Sequence, residues 1–138
     1  LSDAALRQQS ALALAYIGDC VYELLVRTEQ LLQEPMKMSQ LHRRTTSQVK
    51  ATAQAEAARR VFPLLTEEEK AVFLRGRNTK LHHQAPKGTT TAEYSQATAL
   101  EALFGWLYLA GRQERLVELF RACREAPAEA EPISTANP

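Results

Sequence analysis

Two stretches of this sequence are as apolar as a buried helix requires, yet each holds an acid at its centre. AYIGDCVYELLV (15–26) carries Asp19, and ATALEALFGWLYLA (97–110) carries Glu101. In the first, Leu14, Ile17, Val21, Leu24 and Leu25 recur at helical spacing. Leu12, Tyr16, Tyr22 and Val26 make the other faces apolar, so this helix is predicted to be buried nearly all round. Acids seldom enter such surroundings unpaired, because stripping water from a carboxylate is costly. Neither helix supplies Lys or Arg within one turn of its acid on that face. The economical arrangement is two helices that cross at their acids and share a cation. A hard ion such as Mg²⁺ suits it, since Mg²⁺ takes one or two carboxylates and completes its shell with water and phosphate oxygens. Gly18 and Gly105, the interior glycines of these helices, lie beside the acids. A mid-helix glycine costs about 1 kcal/mol relative to alanine, so both point to close approach of the helices or of a substrate backbone. The competing reading places one or both acids on a solvated helix face.

The rest of the chain is also helical in pattern, and no segment sustains the period-2 alternation of a strand. The fold class expected is all-α, a helical bundle. The first long helix is predicted from about Asp3 or Ser10 to Gln30. A second should start after Ser39 as N-cap and run to about Val61, with Leu41, Thr45, Val49, Ala53 and Ala57 towards the core. Thr66 with Glu69, and Thr90 with Glu93, form capping boxes. The first opens a short helix to about Leu74; the second opens a helix that Gly111 ends after Ala110. A last helix is predicted over about 113–124. Residues 75–89 have two glycines, a proline and no apolar periodicity, and read as a loop.

One domain, residues 1–124, accounts for all of these elements. Residues 125–138, rich in Ala, Glu and Pro, are expected to be a disordered tail. Removing the tail acids Glu125, Glu129 and Glu131 leaves 17 basic against 13 acidic residues, a mild bias. The two cysteines, Cys20 and Cys123, are too few for a disulfide framework, and Cys20 is expected in the core. No run approaches the roughly 18–20 apolar residues of a membrane span, and nothing at the start reads as a leader. A reduced, soluble, cytoplasmic setting is expected.

The predicted 75–89 loop carries the second chemical signal. Arg75, Arg77, Lys80 and Lys87 lie in it with Asn78, His82 and His83 and with no acid before Glu93. Gly76 and Gly88 would let such a loop move against a phosphate backbone. Arg43 and Arg44 begin a basic stripe on the second helix. Both features also fit plain solvated surfaces. His82 and His83 are adjacent and cannot form a helical metal pair. No HExxH, Walker A, GxGxxG or GxSxG pattern occurs.

AYIGDCVYE resembles the signature helix of the ribonuclease III catalytic domain, and ATALEALFGWLYLAG resembles that family's later Glu-Ala-Leu-Phe-Gly helix. LHRRTTSQVKATAQAEAARR and EEEKAVFLRGRNTK are similar to the small, stand-alone mini-ribonuclease III proteins. The resemblance spans about Leu12 to Leu119. It implies a dimeric all-α endonuclease that cuts double-stranded RNA with Mg²⁺, or Mn²⁺ in its place. Asp19 and Glu101 then match the metal-binding catalytic acids, and Arg75, Arg77, Asn78, Lys80, Lys87, Arg43 and Arg44 become candidates for holding RNA. The substrate implied is precursor large-subunit (23S) ribosomal RNA.

Two positions depart from full-length ribonuclease III. Ala15 stands four residues before Asp19 and Thr98 three before Glu101, where that family has acids. Mini-ribonuclease III proteins share this reduced set. No double-stranded-RNA-binding domain follows within the sequence, so on this reading the nuclease domain holds its own substrate. The alternative is a non-catalytic ribonuclease III-like domain, acting as an RNA-binding or ribosome-associated module; in that case Asp19 or Glu101 should have decayed. A helical protein-interaction domain would leave both acids unexplained.

Overall fold

Ser10 opens the helix that organises the molecule, its hydroxyl accepting the Ala13 N–H at 3.0 Å. The computed structural model describes residues 1–33, 35–79, 85 and 87–124. These form α1 (Asp3–Arg7), α2 (Ala11–Leu31), α3 (Met38–Val49), α4 (Ala51–Val61), a short 3₁₀ turn (Phe62–Leu64), α5 (Glu67–Arg77), α6 (Thr91–Leu109) and α7 (Gln113–Arg124). There is no strand among the described residues, and the fold is all-α as expected. The predicted tail, together with Lys80, His82 and His83, lies outside them.

Helix α6 is the central element, packed against α2, α4, α5 and α7. Its residues 97–107, except Glu101, are buried, so neighbours must cover it on nearly every side. From α2, Leu14, Tyr22 and Val26 meet Leu100, Leu103 and Phe104 of α6 in one core. The Tyr22 ring stands edge-on to Phe104 and Phe120, at 5.3 and 5.7 Å between centroids. Burial of each such side chain contributes about 1.5–3 kcal/mol.

The ends of the helices follow the local sequence signals. Thr66 and Glu69 exchange capping-box hydrogen bonds, and so do Thr90 and Glu93. Gly111, at φ +76°, closes α6. There the Arg112 N–H reaches the Leu107 carbonyl and the Gly111 N–H reaches Tyr108. Glu69 is also gripped by Arg115, with two contacts of 2.8 Å. Burial alone would raise the Glu69 pKa; the Arg115 and Thr66 hydrogen bonds outweigh it and hold the carboxylate below its usual range.

Five expectations need correction. The second predicted helix is two: Lys50 is extended (φ −68°, ψ 157°), ending α3 and starting α4. The break carries no Pro or Gly signal; it lets α3 pack on α2 while α4 turns to pack on α6. The chain enters α3 at Met38 rather than after Ser39, with the Gln40 side chain accepting the Lys37 N–H. Arg75 to Arg77 are helical, because Gly76 is buried against α6 and the packing carries α5 one turn further than Leu74. Finally, α2 is not covered all round. Leu12, Tyr16, Cys20 and Leu24 are exposed at four-residue intervals, with Tyr16 at 78% and Leu24 at 63%. Cys20 belongs to this stripe and not to the core.

Candidate active site

The crossing of α2 over α6 is a backbone-to-backbone contact made by two glycines. A Cβ placed on Gly18 would lie 1.6 Å from the Glu101 carbonyl oxygen, and one on Gly105 would lie 2.0 Å from the Leu14 carbonyl oxygen. Any side chain at either position would drive the helices apart. The close approach brings Asp19, next to Gly18, to Glu101, one turn before Gly105.

The two acids differ in surroundings. Asp19 is exposed at the rim, which corrects the expectation that it would be buried; Glu101 is half-buried behind it. Among the described residues no Lys or Arg pairs with either carboxylate. Burial, then the charge of Asp19, then a hydrogen bond shared with Asp19 push the Glu101 pKa up to about 8. The side chain of Gln54, from α4, acts in the opposite direction on Glu101.

Gln54 is a member of the site that the sequence reading missed. It is 1% exposed, and its Nε2 has no hydrogen-bond partner. The amide therefore faces the Glu101 carboxylate without completing a hydrogen bond to it. Its signal in the sequence was its register: Gln54 lies three, four and seven residues before the buried Ala57, Ala58 and Val61. That register becomes readable only once α4 is known to start after Lys50.

Ala15 and Thr98, at the positions of the two family acids, are both buried. The Thr98 hydroxyl donates to the Tyr94 carbonyl at 3.0 Å and is spent on its own helix. No group of three or more His, Cys, Asp or Glu side chains gathers among the described residues. The donor set is thus two carboxylates with a nearby amide, all oxygen chemistry. It fits a hard divalent ion that keeps several waters, and it lacks the nitrogen and sulfur ligands of a structural zinc site.

The basic candidates lie on α3, at the end of α5 and ahead of α6. Gly76 packs on α6 with a would-be Cβ 3.0 Å from Ala99 Cα and Ala102 Cβ, so the end of α5 adjoins the turn that carries Glu101. Arg75, Arg77 and Asn78 are exposed there. The Arg75 guanidinium donates to the Gln9 carbonyl at 3.1 Å, and Arg77 Nε donates to Asn78 Oδ1 at 3.2 Å. Lys87, Arg43 and Arg44 are exposed; Arg44 donates to Gln33 at 3.3 Å. Gly76 serves helix packing here, not loop movement.

Residues 12–112 match the Ribonuclease III domain family. The chain belongs to the ribonuclease III family. It is 50% identical over 107 residues to Mini-ribonuclease 3 of Thermoanaerobacter sp. (strain X514), covering 78% of this chain and 75% of that protein. It is 46% identical over 114 residues to Mini-ribonuclease 3 of Symbiobacterium thermophilum, covering 83% and 87%. A crystal structure of a protein from Fusobacterium nucleatum superimposes with a TM-score of 0.75 at 32% identity, over 83% of this chain and 91% of that one. As a member of the ribonuclease III family the chain is an endoribonuclease. The family acts on double-stranded RNA and is generally dependent on divalent metal. No helix among the described residues is long and apolar enough to cross a membrane.

Proposed function

We propose that Asp19 and Glu101 are the catalytic, metal-holding acids of this endoribonuclease and that its substrate is the double-stranded region of a large-subunit (23S) ribosomal RNA precursor. The observation that carries the site assignment is the facing pair of carboxylates at the α2–α6 crossing, unmatched by Lys or Arg among the described residues. When bound, a divalent cation supplies an activated water and charge neutralisation at the scissile phosphodiester. The chain's own part is to hold Asp19 at the rim and Glu101 behind it on two helices that cannot slide, since their backbones touch. The ribosomal RNA assignment is supported by the similarity to mini-ribonuclease 3 proteins.

Arg75, Arg77, Asn78, Lys80 and Lys87, with Arg43 and Arg44, bind the RNA phosphates in this reading. The placement of the α5 end beside the Glu101 turn supports the first of these groups. The exposed stripe of Leu12, Tyr16, Cys20 and Leu24 supports a homodimer formed along α2, because unpartnered apolar surface of this kind marks an interface. The protein works in the cytoplasm, where precursor ribosomal RNA is found, with Mg²⁺ as cofactor and Mn²⁺ as a substitute.

The test is cleavage of a duplex RNA carrying the paired stem of the precursor, beside an unrelated duplex of equal length, with Mg²⁺ and with chelator. Metal-dependent cutting of the precursor stem at a defined position supports the proposal. Equal, unpositioned cutting of both duplexes would remove the ribosomal assignment, and cutting in chelator would remove the metal.

A further inference from the structure

Among the described residues, three buried side-chain atoms lack a hydrogen-bond partner: Tyr22 Oη, Gln30 Oε1 and Gln54 Nε2. An unpartnered amide in the interior is unfavourable, and buried polar groups in folded proteins are nearly always satisfied. Tyr22 abuts the Cys123 thiol in the core, and the Gln30 amide nitrogen reaches Glu29 at 3.5 Å. Gln54 alone of the three acts on a carboxylate of the site. Its neighbours along α4 that share its burial, Ala55, Ala57, Ala58 and Val61, are all apolar. Packing by itself would be served as well by Leu or Met, with no orphaned N–H.

The geometry points to Gln54 as a positioning residue: its unpartnered amide nitrogen, facing Glu101, would close onto one carboxylate oxygen when a divalent cation is bound and leave the other for the ion shared with Asp19. This rests on the metal-dependent nuclease reading given above. A carboxylate has more acceptor sites than one cation uses, and an uncommitted carboxylate rotates. Groups that hydrogen-bond a ligating side chain from behind fix its orientation, and their loss commonly weakens metal binding by about 10–100-fold. Here α4, packed on α6, would supply from a third helix the constraint that Ala15 and Thr98 cannot. Ala15 has no polar atom, and the Thr98 hydroxyl is bonded to Tyr94.

The experiment uses the full chain, with Gln54→Met and Gln54→Leu beside wild type. Mn²⁺ alone, without RNA, is titrated in a calorimeter, and melting temperature is measured in chelator. Both variants should melt at or above the wild-type temperature while binding Mn²⁺ about tenfold more weakly. The Mn²⁺ half-saturation for duplex cleavage should rise by the same factor, with KM for RNA unchanged at saturating metal. Wild-type Mn²⁺ affinity in a folded variant would overturn the positioning role. So would loss of cooperative folding in both variants, which would make Gln54 a structural residue. A wild-type protein that neither binds Mn²⁺ nor cuts duplex RNA would instead overturn the nuclease reading, and this inference with it.

Discussion

Gly18 abuts the carbonyl of Glu101 so closely that a methyl group would have to occupy the space of that oxygen, 1.6 Å away. The close approach that allows the helices to pack thus also sets the distance between the two acids. Gly18→Ala cannot be relieved by a rotamer change, because the obstacle is backbone on both sides. Ordinary overpacking costs about 1–3 kcal/mol, and this substitution should reach or exceed the upper end. A fall in melting temperature of about 10 °C or more is expected, with Gly105→Ala similar. Wild-type melting of either variant would show that α2 and α6 are not in contact as described.

Asp19→Asn and Glu101→Gln should each lower cleavage by about a thousandfold, equivalent to about 4 kcal/mol of transition-state stabilisation. Neither should harm the fold in chelator, since each amide has nearly the shape of the carboxyl group it replaces and adds no charge at the crossing. Divalent metal should raise the melting temperature of wild type and not of the variants. Cleavage rates and paired melts with and without Mg²⁺ check both halves; near-wild-type cutting by one variant would remove that residue from the site.

The raised pKa of Glu101 makes the stability of the metal-free protein depend on pH. In the unfolded chain Glu101 loses its proton near its ordinary value of 4.5, while in the folded protein it keeps it to about 8. The folded state therefore binds more protons between these values, and stability falls as pH rises through that window. Chelated wild type should melt progressively lower from about pH 5 to about pH 8, and Glu101→Gln should flatten its share of that slope. Saturating Mg²⁺ should flatten the slope too, because the cation replaces the proton between the carboxylates. Parallel slopes for wild type and Glu101→Gln in chelator would refute the coupling.

Arg77 and Lys87 are exposed cations, whereas the Arg75 guanidinium is bonded to the Gln9 carbonyl. The Arg77→Ala, Lys87→Ala pair should raise KM for duplex RNA several-fold and leave kcat almost unchanged, since such contacts bind substrate and transition state alike. The slope of log KM against log salt should drop by about one per lost phosphate contact. If KM and slope hold steady, Arg43 and Arg44 on α3 become the RNA-facing pair.

Tyr16, with 78% of its surface exposed in the single chain, sits in the middle of the apolar stripe on α2. Tyr16→Asp should convert a homodimer to a monomer in sedimentation at micromolar concentration while the melt stays cooperative. A wild-type chain that sediments at 15.4 kDa under the same conditions would rule out the dimer.

The helices whose packing faces and caps agree were readable in the residues themselves. Thr66 with Glu69, Thr90 with Glu93, and Gly111 act within one turn of chain, so their geometry is set locally. The pairing of Asp19 with Glu101 was legible for a different reason: an acid and a glycine in an apolar helix are each unfavourable alone, and together they demand an outside cause. Three other features depended on contacts distant in sequence. Lys50 breaks a continuous helical pattern only because α3 and α4 pack on different partners. Arg75 to Arg77 are helical only because Gly76 finds Ala99 and Ala102 across α6. Gln54 joins the site only because α4 presents it to Glu101, a residue 47 positions further along the chain. Local capping energies and helical periodicity are written into neighbouring residues. The partner of a buried amide is chosen by how helices stack, and that becomes visible only when they have packed.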